Sequence, residues 1–129
     1  MIVDTSAIVA ILRAEKEADD FLLALDASRP AKISAGSWIE LGAVLSGFGI
    51  SSLEAQLLEL KKTAGIQIMP VTEEQAEIGR RAYAIFGKGN HPARLNFGDC
   101  FAYALAKATG ESLLFKGKDF AHTDITPAA

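Results

Sequence analysis

The sequence predicts an α/β fold, a parallel sheet covered on both faces by helices. Three observations carry that prediction. Short apolar runs alternate with longer stretches of helical periodicity along the chain, and strands that alternate with helices form parallel sheets. Several helix limits are marked by capping residues and glycines. The length of 129 residues suits one domain with a proper core, expected to run over residues 1–129.

Taken in order, Met1-Ile2-Val3 reads as a first strand, followed by helices near 5–13 and 16–27. Ala31 to Ser34 is a second strand, with helices near 36–47 and 52–64 behind it. Gln67 to Val71 is a third, before a helix near 73–87. A helix near 97–108 leads to a fourth strand at Ser112 to Phe115, and Asp124-Ile125-Thr126 offers a short final one. Ser51 or Ser52 can cap a helix with Glu54 in its first turn, Thr72 can cap with Gln75 at the third position, and Gly65 and Gly110 are natural stops. The long irregular stretch is Gly87 to Leu95, which contains His91 and Arg94 and runs directly into Asn96 and Asp99. Loops beside active sites often have this composition.

Composition narrows the function classes. Apolar residues at 50% and charged ones at 22% exclude a disordered chain. No stretch of about 18 uninterrupted apolar residues exists to span a membrane, and the run from Ile2 to Leu12 is broken by Asp4 and lacks a basic start. A cytoplasmic protein with no membrane partner is expected. The single Cys100 rules out an internal disulfide and a thiolate metal cluster, so any metal must be held by oxygen or by His91 or His122. A net charge of -3 does not advertise a nucleic-acid binder. If acidic residues converge on one pocket, however, Lys61-Lys62, Arg80-Arg81, Lys88, Arg94, Lys107, Lys116 and Lys118 are free to form local basic patches.

Four carboxylates stand out, three of them by their isolation. Asp4 is the only charged side chain before Arg13, Glu40 the only one between Lys32 and Glu54, and Asp99 the only one between Arg94 and Lys107. A lone carboxylate in an uncharged stretch is costly to bury unless a partner or cation compensates it. Asp4 lies at the carboxyl end of the first strand, where α/β sheets place ligands, although a helix N-cap would also explain it. Ser6 beyond it can serve a metal-bound water or a phosphate, or satisfy the helix end. Glu40 borders an apolar stripe through Trp38, Leu41, Val44, Leu45 and Phe48, with no basic residue three or four positions away. Asp99 stands three residues after Asn96, a capping arrangement, beside an expected buried stripe of Phe97, Phe101, Leu105 and Ala108. Asp119 follows Leu113-Leu114-Phe115 across Lys116-Gly117-Lys118, and its bland explanation is a surface pair with lysine. Asp124 is a fifth candidate for the same shell. Clustered carboxylates repel unless neutralised, and an all-oxygen anionic site suits Mg2+ or Mn2+. Such a site supports phosphoryl-transfer chemistry.

The same residues make the chain resemble the PIN-domain ribonucleases, and among them the VapC toxins of toxin-antitoxin pairs. The resemblance covers nearly the whole chain. It rests on Ile2-Val3-Asp4-Thr5-Ser6-Ala7, Glu40 within the Trp38-to-Leu45 helix, Leu95 to Ala106 around Asn96-Phe97-Gly98-Asp99, and Leu113 to Phe120 around Asp119. It implies a three-layer fold with strand order 3-2-1-4-5, Mg2+- or Mn2+-dependent cleavage of structured RNA such as tRNA or rRNA, and inhibition by a cognate antitoxin. It further implies a homodimer, or a larger toxin-antitoxin assembly. It assigns metal binding and water activation to Asp4, Glu40, Asp99 and Asp119, and matches Ser6 to a family hydroxyl. One departure is visible: where the family most often has Asn before the last aspartate, this chain has Lys118, which would bind substrate phosphate or weaken metal affinity.

Two other readings compete. A signalling receiver also uses a parallel sheet and an acidic pocket, but needs an aspartate ending its third strand, and Ile68-Met69-Pro70-Val71 has none. A catalytically degenerate PIN-fold binding module would not need all four carboxylates. Outside the motifs, His91 and Arg94 are candidates for RNA contact, and Leu53, Leu57, Leu58 and Leu60 exceed what a small sheet needs, serving either the core or a partner.

Overall fold

The computed structural model describes residues 1–87, 89 and 92–128. Its elements follow the expected order: β1 (Ile2–Val3), α1 (Thr5–Leu12), α2 (Ala18–Ala27), β2 (Lys32–Ser34), α3 (Ala35–Gly47), α4 (Ser52–Ala64), β3 (Gln67–Met69), α5 (Glu73–Phe86), α6 (Asp99–Thr109) and β4 (Leu113–Leu114). The four strands form one parallel sheet in the order β3-β2-β1-β4. Ile2 stands opposite both Lys32 and Leu113, which makes β1 central.

Neighbouring residues on a strand point to opposite faces, and here both faces are buried. Val3, Ile33 and Leu114 join Ile8, Phe21, Leu25, Leu41, Leu45, Leu53, Leu57 and Leu60 in one core. Ile2 and Leu113 join Leu95, Tyr103, Leu105, Phe120 and Ile125 in the other. Core burial accounts for Leu53, Leu57 and Leu60, while Leu58 is exposed.

The expected fifth strand is reduced to a single bridge. Leu113 pairs in parallel with Pro127, through bonds from Leu113 N to the Thr126 carbonyl and from Ala128 N to the Leu113 carbonyl, both 2.9 Å. Position five beside β4 is therefore kept, but residues 124–126 are not a strand. The Thr123 hydroxyl accepts from Ile125 N in a local turn, and Pro127 has no N–H to extend a ladder.

The caps and stops expected at Thr72, Gly65 and Gly110 form, and the one expected at Ser51 does not. Thr72 accepts from Gln75 N, and Gly65 and Gly110 close their helices in the left-handed conformation. Ser51 does not cap α4. Its backbone is already helical, with φ -63 and ψ -27, whereas a capping side chain needs an extended backbone. The stripe expected on α6 is also corrected: Phe97 precedes the helix and is 75% exposed, while Ala102, Tyr103, Leu105 and Ala106 are buried. Small residues let α5 come close, Gly79 lying against the Cys100 carbonyl and Ala104. That contact wraps α6 between α5 and the sheet.

Candidate active site

Parallel strands end on the same edge of a sheet, and β1 and β4 are adjacent, so the segments that follow them meet. Asp4 leaves β1 in an extended conformation and caps α1: its Oδ2 accepts from Ser6 N at 3.0 Å and from the Ser6 hydroxyl at 2.6 Å. The N-cap reading is thus correct as far as one oxygen goes. Oδ1 is buried and has no hydrogen-bond partner. Ser6 in turn accepts from Lys116 N at 3.0 Å, so one hydroxyl ties the start of α1 to the segment after β4.

Glu40 reaches the same place from α3. Thr5 Oγ1 donates to its Oε1 at 2.7 Å, and the carboxylate stands close enough to Asp4 to repel it. Room for it comes from Gly98: a Cβ there would lie 1.5 Å from Glu40 Oε2. A second glycine, Gly36, admits the Phe101 ring, whose nearest atom would be 2.2 Å from a Cβ. The two glycines bring α3 against the start of α6.

Asp99 and Asn96 cap each other. Asp99 N donates to Asn96 Oδ1 at 2.9 Å and Asn96 N donates to Asp99 Oδ2 at 3.0 Å. This reciprocal pair is the expected capping arrangement, and it aims the carboxyl group into the cleft. Burial pushes Asp99 up to about 7, against the lowering bond from Asn96 N, and the charges of Asp4, Asp119 and Glu40 push the same way. Burial also lifts Asp4 to about 6, opposed by the Ser6 bonds and helped by Glu40. The protein alone does not compensate these two carboxylates.

One open cleft of about 470 Å³ is lined by Asp4, Ser6, Glu40, Asp99 and Asp119, joined by Glu15, Asn96 and Lys116. Asp119 stands on its exposed rim. Among the described residues no three of these carboxylates already enclose a common point as a finished ligand cage. The donor set nevertheless fits a hard divalent cation: oxygen only, an orphaned buried Asp4 Oδ1, and two carboxyl groups held above their ordinary range by burial and mutual repulsion.

Two expectations need correction, those for Asp124 and Lys118. Asp124 is not in the cleft: it accepts from the Tyr103 hydroxyl at 2.7 Å and pairs with Lys107 at 2.8 Å, on the far part of α6. Lys118 is exposed and does not line the cleft, whereas Lys116 does; Gly117, at φ 99, turns the chain between them. Arg94 and His122 are exposed, and His91 lies outside the described residues. The sequence reading missed Thr5, Gly98, Glu15 and the role of Lys116. Gly98 left a signal, since glycine immediately before a helical carboxylate is a poor helix former and asks for a close approach.

Comparison with known proteins identifies the family of the chain. The PIN domain family model matches residues 1–125. The VapC ribonuclease Mb0625 of Mycobacterium bovis and the ribonuclease VapC28 of Mycobacterium tuberculosis are each 49% identical over 129 residues, covering 99% of this chain and 97% of theirs. The M. tuberculosis ribonuclease VapC42 is 46% identical, covering 99% of this chain and 98% of its own. Among solved structures, M. tuberculosis VapC20, a sarcin-ricin loop cleaving toxin, superposes with a TM-score of 0.76 at 16% identity, over 97% of this chain and 95% of that one. A toxin-antitoxin complex from Klebsiella pneumoniae gives a TM-score of 0.67 at 19% identity, over 95% and 92%. At those identities the two structures speak for the fold. With the family model matched over nearly its full length and relatives close to half identical, this chain belongs to the PIN-domain family, in its VapC branch.

Proposed function

We propose that the protein is a metal-dependent endoribonuclease, the toxin of a toxin-antitoxin pair, and that Asp4, Glu40, Asp99 and Asp119 are its metal-binding and catalytic residues. The observation that carries this reading is the buried, unpartnered Asp4 Oδ1 facing further carboxylates across one cleft. When bound, Mg2+ or Mn2+ would supply an activated water and stabilise charge on the phosphate. The rest is the work of this chain. Thr5 orients Glu40, Asn96 orients Asp99, and Ser6 holds Asp4 so that its second oxygen stays free. Hydrolysis adds water across one P–O bond of the RNA backbone, and the carboxylates of Asp4, Glu40, Asp99 and Asp119 would hold the cation that supplies that chemistry.

Structured RNA, such as tRNA or rRNA, is the substrate class we infer, supported by relatives named ribonucleases and by the sarcin-ricin loop cleaving neighbour. We further infer a cognate antitoxin that covers the cleft; a toxin-antitoxin complex among the structural neighbours supports such a partner. No helix of the described residues is long and apolar enough to cross a membrane, in keeping with action on RNA in the cytoplasm. A homodimer would use the apolar groove lined by Val71, Tyr83 and Phe97, all at least two-fifths exposed.

Purified, antitoxin-free protein is expected to cut cellular RNA with Mg2+ or Mn2+ and to stop doing so after chelation, with sequencing of RNA ends locating the cuts. Mn2+ titration followed by thermal melting separates this reading from a degenerate binding module, which would show no stabilisation. Absence of both cleavage and stabilisation sinks the proposal.

A further inference from the structure

A polyanionic strand entering this cleft meets the carboxylates of Asp4, Glu15, Glu40, Asp99 and Asp119. Of the described residues that line it, Lys116 alone is cationic. Its backbone is fixed by the bond from Lys116 N to Ser6 Oγ, itself bonded to Asp4, so the lysine is anchored two hydrogen bonds from the centre of the site. The ammonium group extends to the mouth of the cleft, where it pairs closely with Glu15 and stands 3.7 Å from Glu17. These acids are delivered by the turn after α1, in which Ala14 takes the left-handed conformation at φ 51.

We propose that Lys116 grips a backbone phosphate of the incoming RNA, and that Glu15 and Glu17 hold it at the mouth until RNA displaces them. This inference rests on the ribonuclease reading above and adds to it a substrate-binding residue. All three side chains are roughly one-quarter to one-third exposed, and ion pairs in contact with water contribute little. A lysine–phosphate contact competes well against them, because it satisfies a group that brings its own charge and loses condensed counterions on binding. Pairing with Glu15 also holds the pKa of Lys116 above its usual range, keeping the amine charged.

The test uses the whole protein and a short stem-loop RNA, measuring binding over a salt series by fluorescence anisotropy and cleavage by initial rates. Lys116→Met is expected to raise KM about tenfold with kcat within about twofold, and to lower the slope of log affinity against log salt by about 0.7. Lys116→Arg should retain most binding. Glu15→Gln with Glu17→Gln should bind RNA several-fold more tightly than the parent, a gain that loss of folding cannot mimic. Unchanged KM and salt slope in Lys116→Met overturn the inference, as does a loss confined to kcat. If the parent binds RNA with the Lys116-dependent slope yet cuts none, this inference stands and the nuclease reading falls. A parent that neither binds nor cuts overturns both.

Discussion

Helix α6 carries a carboxylate against each of its ends, and the two have opposite surroundings. Asp124, packed by Tyr103 and Lys107, is fully answered within the protein. Burial alone would raise its pKa, but the bonds from Lys107 and Tyr103 hold it below the usual carboxylate range. Asp99, at the first turn, receives backbone N–H support from Asn96 yet is raised to about 7 by burial and by other acids. A compensated carboxylate ties the chain after β4 onto α6. An uncompensated one stores an unfavourable charge that a cation would relieve, and the difference separates scaffold from site.

The sharpest way to break that contrast is to neutralise the uncompensated side. Asp4→Asn and Asp99→Asn are each expected to lower RNA cleavage on the order of a hundredfold or more, since each removes an anionic oxygen donor. The same changes should stabilise the metal-free protein. A carboxyl group whose pKa is raised on folding binds protons more tightly folded than unfolded, so its ionisation destabilises the fold as pH rises from about 4 through the folded value. For Asp4 that amounts to roughly 2 kcal/mol between pH 4 and pH 7.5. Melting of the metal-free parent should therefore drop over that window relative to Asp4→Asn, and saturating Mn2+ should reverse the trend. A flat difference between the two would contradict the assignment.

Gly98→Ala gives an intermediate effect and divides activity from stability. The added Cβ displaces the Glu40 carboxylate, which is the far end of a flexible side chain, and the backbone at Gly98, with φ -62 and ψ -37, accepts alanine. Cleavage should fall about tenfold as Glu40 loses its bond to Thr5, while the melting temperature holds or rises slightly, alanine being the better helix former by about 1 kcal/mol. The smallest effect belongs to the compensated side. Asp124→Asn should cost about 1 kcal/mol in denaturant unfolding and leave cleavage unchanged; a loss of activity there would erase the distinction.

Much of this was legible in the chain. Asp4, Glu40 and Asp99 could be singled out because each lacks a compensating charge nearby in sequence, and burial without an answer is what the structure found for Asp4 and Asp99. Asp124 misled because Tyr103 and Lys107 reach it from 21 and 17 positions earlier, a pairing that only the tertiary fold creates. Thr5 and Gly98 were invisible as partners of Glu40 for the same reason. The choice between Lys116 and Lys118 depended on the left-handed turn at Gly117, which reverses the side on which successive side chains emerge. Strand limits shrank because only two or three residues of each apolar run make ladder bonds.

The pairing of β4 with β1 also sets a schedule. Synthesis proceeds from the amino terminus, so Asp4 and Glu40 leave the ribosome well before Asp99, and β1 waits for Leu113 and Leu114 before its second neighbour exists. Until then Ser6 lacks the Lys116 amide that joins the two strand ends. For a nuclease manufactured in the midst of RNA, such late closure keeps the growing polypeptide inert until nearly the last strand is in place.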